Sequence, residues 1–417
     1  MDMKEKILNN LDNPHALELL FRQDPAAFRR AFPEVRKQDP ESIVLAVWQE
    51  RFMEQAEASE AKSRLLARDL RLALLLAALA GLCTRVILHF VIGQTIAPVN
   101  ILYGVVPFMA AYFALTQKPD KKLLLNLAGL FLGSLIYINI LPLQESDSII
   151  MAYLHLPVFL WIVLGLAFTG NDHRSIEARL AYIRFNGEFA IVYAIFAISG
   201  MILTALTLML FELALPGQDV AKFYLENVVV FGAAALSLVA TYLVTTQLKL
   251  AKTLAPWIAR IFSPLVFLTL LAYLAVLLMA GRNPFLDRDF LIAFNGILLV
   301  VLAITIFTLT EKSNGDKRQL GDLLTVALIC LALMIDIVAL ASIVFRLSSY
   351  GLTPNRIVVL GVNLLIGGHL AWILAAYGKF LRKKTAPPAV QRAVTQYLPA
   401  YGAWAAFVFL AFPWIFR

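Results

Sequence analysis

Long apolar tracts broken by short polar ones run from about residue 72 to the carboxyl end of the chain. A helix needs about 20 such residues to cross the hydrocarbon core of a bilayer. By that measure eleven spans are expected, over residues 72–92, 98–116, 123–143, 149–169, 189–211, 225–246, 257–280, 289–310, 322–345, 356–379 and 398–416. Pro399 and Pro413 interrupt the last of them, and Pro107, Pro157 and Pro264 fall in others, as in bundles of bent helices that enclose cavities.

The first 71 residues follow another pattern. "NPHALELLFRQDPAAFRRAF" and "DPESIVLAVWQERFMEQ" place Asn or Asp before Pro, followed by apolar residues at helical spacing, as helix N-termini do. About three helices are expected, with Leu19, Leu20, Phe28, Phe32, Val44, Val47 and Trp48 on their apolar side. From Glu50 to Arg71 the chain is charged and lacks Gly and Pro, so the last helix is expected to run into the first span. The expected fold is all-α: a small cytoplasmic helical cap over residues 1–71 and a polytopic transmembrane bundle over 72–417. No cleavable leader is expected, because the first long apolar run starts only near Leu72.

Composition agrees, with 60% apolar and 15% charged residues, outside the range of soluble domains. The net charge of +8 divides unevenly: residues 1–71 hold 12 Lys/Arg against 13 Asp/Glu, and residues 72–417 hold 24 against 15. With the amino terminus inside, the inner loops carry seventeen of those 24, and the outer loops with the carboxyl end carry six. That bias follows the positive-inside rule and sets the expected orientation. The basic excess therefore speaks for a membrane and against a nucleic-acid partner. Membrane lipids, a small anionic solute and, through residues 1–71, a cytoplasmic protein are the partners considered. Cys83 and Cys330 lie in apolar runs and suggest no disulfide framework.

Ionisable groups cost on the order of 2.5–3.5 kcal/mol at the bilayer centre, so those retained often mark a site. At 1.5 Å per residue, Arg85, Asp336 and Asn363 lie roughly 12, 15 and 10 Å from the outer ends of their spans. His89, Asn139 and His155 sit closer to that end. An outward-opening polar cavity is expected, with Arg85 and Asp336 as an ion pair in its floor; the alternative is that these groups tie helices together. His89 and His155 lack any metal-binding spacing, and no metal or cofactor is expected. There is no GxSxG, Walker or dinucleotide pattern. Gly129 and Gly133 have the small-xxx-small spacing of closely packed helices.

One short polar stretch separates two spans near the carboxyl end. In "SSYGLTPNR", residues 348–356, Gly351 suits a positive φ, Pro354 suits a first helical turn and Thr353 suits an N-cap. Arg346 and Arg356 flank it on the expected outer side, against the general charge bias. Lipid phosphates, outer carboxylates such as Asp287 or Asp289, or an anionic ligand would each account for them. The run Tyr350-Gly351-Leu352-Thr353-x-x-Arg356 resembles a motif near the carboxyl end of a bacterial family of multi-pass inner-membrane proteins known only as a domain of unknown function. That resemblance implies an inner-membrane location and supplies no activity. Three classes of function remain: transport or lipid handling through the outer cavity, a membrane enzyme acting on a lipid-linked substrate, and a sensor or assembly factor. The first is preferred, and a catalytic role is not assigned.

Overall fold

The computed structural model describes residues 2–143, 146–214, 220–246, 263–264, 267–268, 271, 288–310, 320–382 and 387–416. Among these every regular element is helical. By contact, the chain divides into two compact units, Met1–Leu70 and Arg71–Arg417.

The first unit begins with α1 (Met3–Leu8), α2 (Pro14–Gln23) and α3 (Pro25–Gln38), followed by α4 (Ile43–Ile92), within which the unit boundary falls. Asn13 and Asp24 cap α2 and α3: their side-chain oxygens accept from the Ala16 and Ala27 amides at 3.0 and 2.9 Å, with Pro14 and Pro25 in the first turns. Asp39-Pro40 departs from this pattern. It lies in the turn, and Ser42 Oγ accepts from the Leu45 amide at the start of α4. The core is Ile7, Leu17, Phe28, Phe32, Val35, Leu45 and Trp48, with Leu20 and Val44 packed at its edge. Leu19 and Val47 were expected there, yet are 47% and 62% exposed. At 100° per residue the buried stripes run through Leu17, Leu20 and Phe21 and through Leu45, Trp48 and Phe52, which turns Leu19 and Val47 away.

The second unit continues along α4 and holds α5 (Val106–Gln117), α6 (Lys121–Ile140), α7 (Asp147–Thr169), α8 (Ile176–Ala214), α9 (Val220–Tyr224), α10 (Val230–Thr246), α11 (Arg288–Thr310), α12 (Leu320–Tyr350), α13 (Pro354–Leu381), α14 (Pro387–Gln396) and α15 (Leu398–Ile415). Nine helical segments among the described residues are long and apolar enough to cross a membrane. In α11 the apolar part is shorter, Phe294–Thr310, and the expected span over 257–280 falls largely outside the described residues. These helices support a multi-pass membrane protein. Pro399 falls in the first turn of α15, where its missing N–H costs nothing, and Pro413 falls near its end, so the helix runs from Leu398 to Ile415 despite both.

Two large apolar clusters hold the unit. One joins α11, α12, α13 and α14 around Leu298, Leu328, Ala332, Leu370 and Tyr377. The other joins α4, α5, α7, α8 and α10 around Ala80, Phe113, Val163, Phe185 and Leu238. Close helix approach occurs at Gly104, where a Cβ would meet Thr84 Cα at 2.8 Å. Gly129 and Gly133, expected to serve this purpose, face nothing within 4 Å.

Candidate functional site

The turn between α12 and α13 forms as its residues dictate. Gly351 has φ +79°, which a residue with a side chain adopts only under strain. Thr353 Oγ1 accepts from the Arg356 amide at 3.4 Å, and Pro354 occupies the first turn of α13. Arg356 folds back over the turn, and its Nη1 donates to the Tyr350 and Gly351 carbonyls, both at 2.7 Å. Its guanidinium also lies 5.6 Å from the centre of the Tyr350 ring.

Beside this turn lies a cavity of about 410 Å³, whose polar walls are Asp147, Asn295, Arg346, Thr353, Asn355 and Arg356, with Ile343 and Val359 among the apolar ones. Two helix N-termini meet it, those of α7 at Asp147 and of α13 at Thr353. Each N-terminus carries roughly half a positive charge on its free amides, so both add to the field of the two arginines. Arg346 Nη1 is buried and has no hydrogen-bond partner. Neither arginine forms an ion pair with Asp147. The site is thus a polar hollow with excess positive charge and an unsatisfied guanidinium donor.

The structure brings some expected site residues together and separates others. Arg346 and Arg356 line the cavity. Asn363, on α13, adjoins it through Asn295: Nδ2 donates to Asn295 Oδ1 at 2.8 Å and to the Val359 carbonyl at 2.7 Å. Asp336 is buried between α12 and α13 and does not line the cavity, so it is not its floor in the sense expected. Tyr350 is exposed and contributes its carbonyl to Arg356 rather than a wall. His89 is exposed and packs edge-on against Phe90. His155 is buried, with Nδ1 bonded to the Met151 carbonyl of its own helix at 2.9 Å. Neither histidine belongs to a metal-binding group among the described residues.

Arg85 does not pair with Asp336. Its Nε donates to Asn227 Oδ1 at 2.6 Å, and Asn227 belongs to a π-helical turn, Leu225–Val229, between α9 and α10. Equal depth placed Arg85 and Asp336 at one level, but they lie on helices with different neighbours. Asn139 likewise joins helices, through reciprocal amide bonds with Asn100 at 2.8 and 3.0 Å.

Asp147, Asn295 and Asn355 were not foreseen as wall residues. Asp147 was legible in part, since Ser146-Asp147 is an N-cap followed by an acid at the expected outer end of a span. Asp287 lies outside the described residues, and of Asp289 only the backbone is described. No family model, curated protein or solved structure matches this chain.

Proposed function

We propose that this chain is a bacterial inner-membrane protein of eleven spans, amino terminus in the cytoplasm, that binds and handles a small anionic solute or an anionic lipid headgroup at the Arg346–Arg356 cavity. The observation that carries the reading is Arg346, which lines the polar hollow and whose buried Nη1 has no hydrogen-bond partner. An unsatisfied buried donor costs about 1–3 kcal/mol, more when charged, and an oxyanion removes that cost. Arginine's planar fork binds phosphate or carboxylate oxygens in pairs, and two helix N-termini supply further donors. Asp147, which also lines the cavity, favours a ligand that carries a donor or a positive group as well.

The charge bias of the loops supports an outer position for this cavity. Kinship with the bacterial family whose motif Tyr350–Arg356 resembles belongs to the same proposal. A solute and a headgroup offer the same chemistry here, and binding experiments separate them. Full-length protein in phosphatidylcholine nanodiscs is given inorganic phosphate, and in a parallel sample phosphatidic acid is mixed into the bilayer. Retention of phosphatidic acid by native mass spectrometry, lost in R346A, supports the headgroup; phosphate binding alone supports a solute. Binding of neither, or binding of either that R346A leaves intact, contradicts the reading.

A further inference from the structure

Asp336 is a carboxylate deep in an apolar helix seam with one oxygen unsatisfied. It is 3% exposed, and Oδ1 has no hydrogen-bond partner. Fourteen residues separate it from the Tyr350 end of α12, a depth of roughly 21 Å at 1.5 Å per residue. The other oxygen fits a notch in α13: a Cβ on Gly367 would come within 2.0 Å of Asp336 Oδ2 and 3.2 Å of its carboxyl carbon.

One turn outward from Gly367, on the same face of α13, stands Asn363, 1% exposed. Its Nδ2 is fully used, while its Oδ1 has no partner. The same two faces continue outward to Ile343 on α12 and Val359 on α13, which are walls of the cavity. Two acceptor oxygens without donors, Asp336 Oδ1 and Asn363 Oδ1, therefore lie on helix faces that lead to the cavity.

Among the described residues no cation pairs with Asp336. On α13 the charged or titratable groups are Arg356, folded onto its turn, Lys379 in the last turn, and His369, whose Nδ1 is bonded to Tyr401 Oη at 3.0 Å and whose ring stacks on Tyr397. On α12 itself they are Asp322, which accepts from Tyr377 Oη at 2.7 Å, and Arg346 at the cavity. The packed length of α11, Phe294–Thr310, carries no charged residue. Arg85 is engaged by Asn227. An uncompensated carboxylate in such surroundings is among the most costly groups a membrane protein can hold.

We propose that Asp336 is the carboxylate of a monovalent-cation site, for H⁺ or Na⁺, in the α12–α13 seam, with Asn363 Oδ1 as its second oxygen. One carboxylate balances one charge, which favours a monovalent over a divalent ion in this seam. That this cation accompanies an anion in the cavity above rests on the reading given under Proposed function; the cation site itself does not.

The test uses full-length protein in nanodiscs, with dicyclohexylcarbodiimide, which reacts with protonated carboxyl groups in apolar surroundings, and thermal unfolding as a second readout. For a Na⁺ site, labelling of Asp336 falls and the unfolding temperature rises in NaCl relative to choline chloride at fixed pH. For an H⁺ site, both labelling and unfolding temperature rise from pH 8 to pH 6 and are indifferent to Na⁺. D336N removes the matching thermal response. Gly367→Ala, whose Cβ displaces the carboxylate, removes it with Asp336 still present and serves if D336N does not fold. Labelling and stability that respond to neither cation, or a thermal response that survives both substitutions, overturn the proposal. Phosphate and phosphatidic acid added to the same samples keep the two readings apart: no response to either beside an intact cation response sinks the anion cavity alone.

Discussion

Arg356 Nη1 donates to the Tyr350 carbonyl across the turn that joins α12 to α13, at 2.7 Å. With the second bond to the Gly351 carbonyl, this fastens Arg356 to the backbone, whereas Arg346 keeps a buried Nη1 free of any bond. The two arginines that look equivalent in sequence therefore differ in role.

That difference predicts a split. Arg356→Ala loosens the turn and lowers stability by about 1 kcal/mol, the worth of partly exposed hydrogen bonds. Arg346→Ala relieves an unsatisfied donor, so it leaves stability unchanged or raises it while lowering anion affinity. Thermal unfolding of both variants without and with phosphate checks this; equal effects of the two substitutions would refute it.

Gly351→Ala tests the turn by itself. At φ +79° an added Cβ meets nothing within 4 Å, so the expected loss of about 1–2 kcal/mol is conformational strain alone. An unchanged unfolding temperature would show that the turn relaxes freely.

The Met1–Leu70 unit has its own acid sensitivity. Hydrogen bonds from Arg51 and then Arg22 hold the Glu18 carboxyl at about 2, below its usual 4.5. A carboxyl depressed on folding stabilises the fold above its unfolded value and loses that contribution as pH falls towards its folded one. The protection factors of the amides over residues 14–52, corrected for the intrinsic pH dependence of exchange, should therefore fall between about pH 4.5 and 2, and Glu18→Gln should flatten that fall. The same pH profile in both proteins would contradict this assignment.

Orientation is tested by single cysteines in a background lacking Cys83 and Cys330. A membrane-impermeant maleimide added to intact cells should label a cysteine at position 351 and leave one at position 174 unlabelled. The reverse pattern would invert the topology.

How much of this was legible in the sequence follows from what each signal measures. Span positions and the Thr353-Pro354 helix start depend on composition and on local backbone preferences, which a single stretch of chain carries. The same holds for Asn13 and Asp24, each written beside its proline. Lateral neighbours are another matter. Depth in the bilayer put Arg85 level with Asp336, but depth says nothing about which helices touch, and Asn227 takes Arg85 instead. Gly129 and Gly133 show the same limit, since a small-residue spacing permits a close approach and does not name a partner. The cavity was anticipated through its arginines, whose placement against the charge bias was a sequence fact. Its other wall, Asp147 and Asn295, comes from α7 and α11 and needed the packing to be seen.

The most direct measurement is equilibrium dialysis of labelled inorganic phosphate against full-length protein at constant ionic strength, for wild type and R346A. The account predicts saturable retention by the wild type and an affinity about 10–100-fold weaker in R346A, the worth of one charged hydrogen-bond donor. No retention of phosphate by a wild type that also fails to retain phosphatidic acid, or equal affinities in the two proteins, would contradict it.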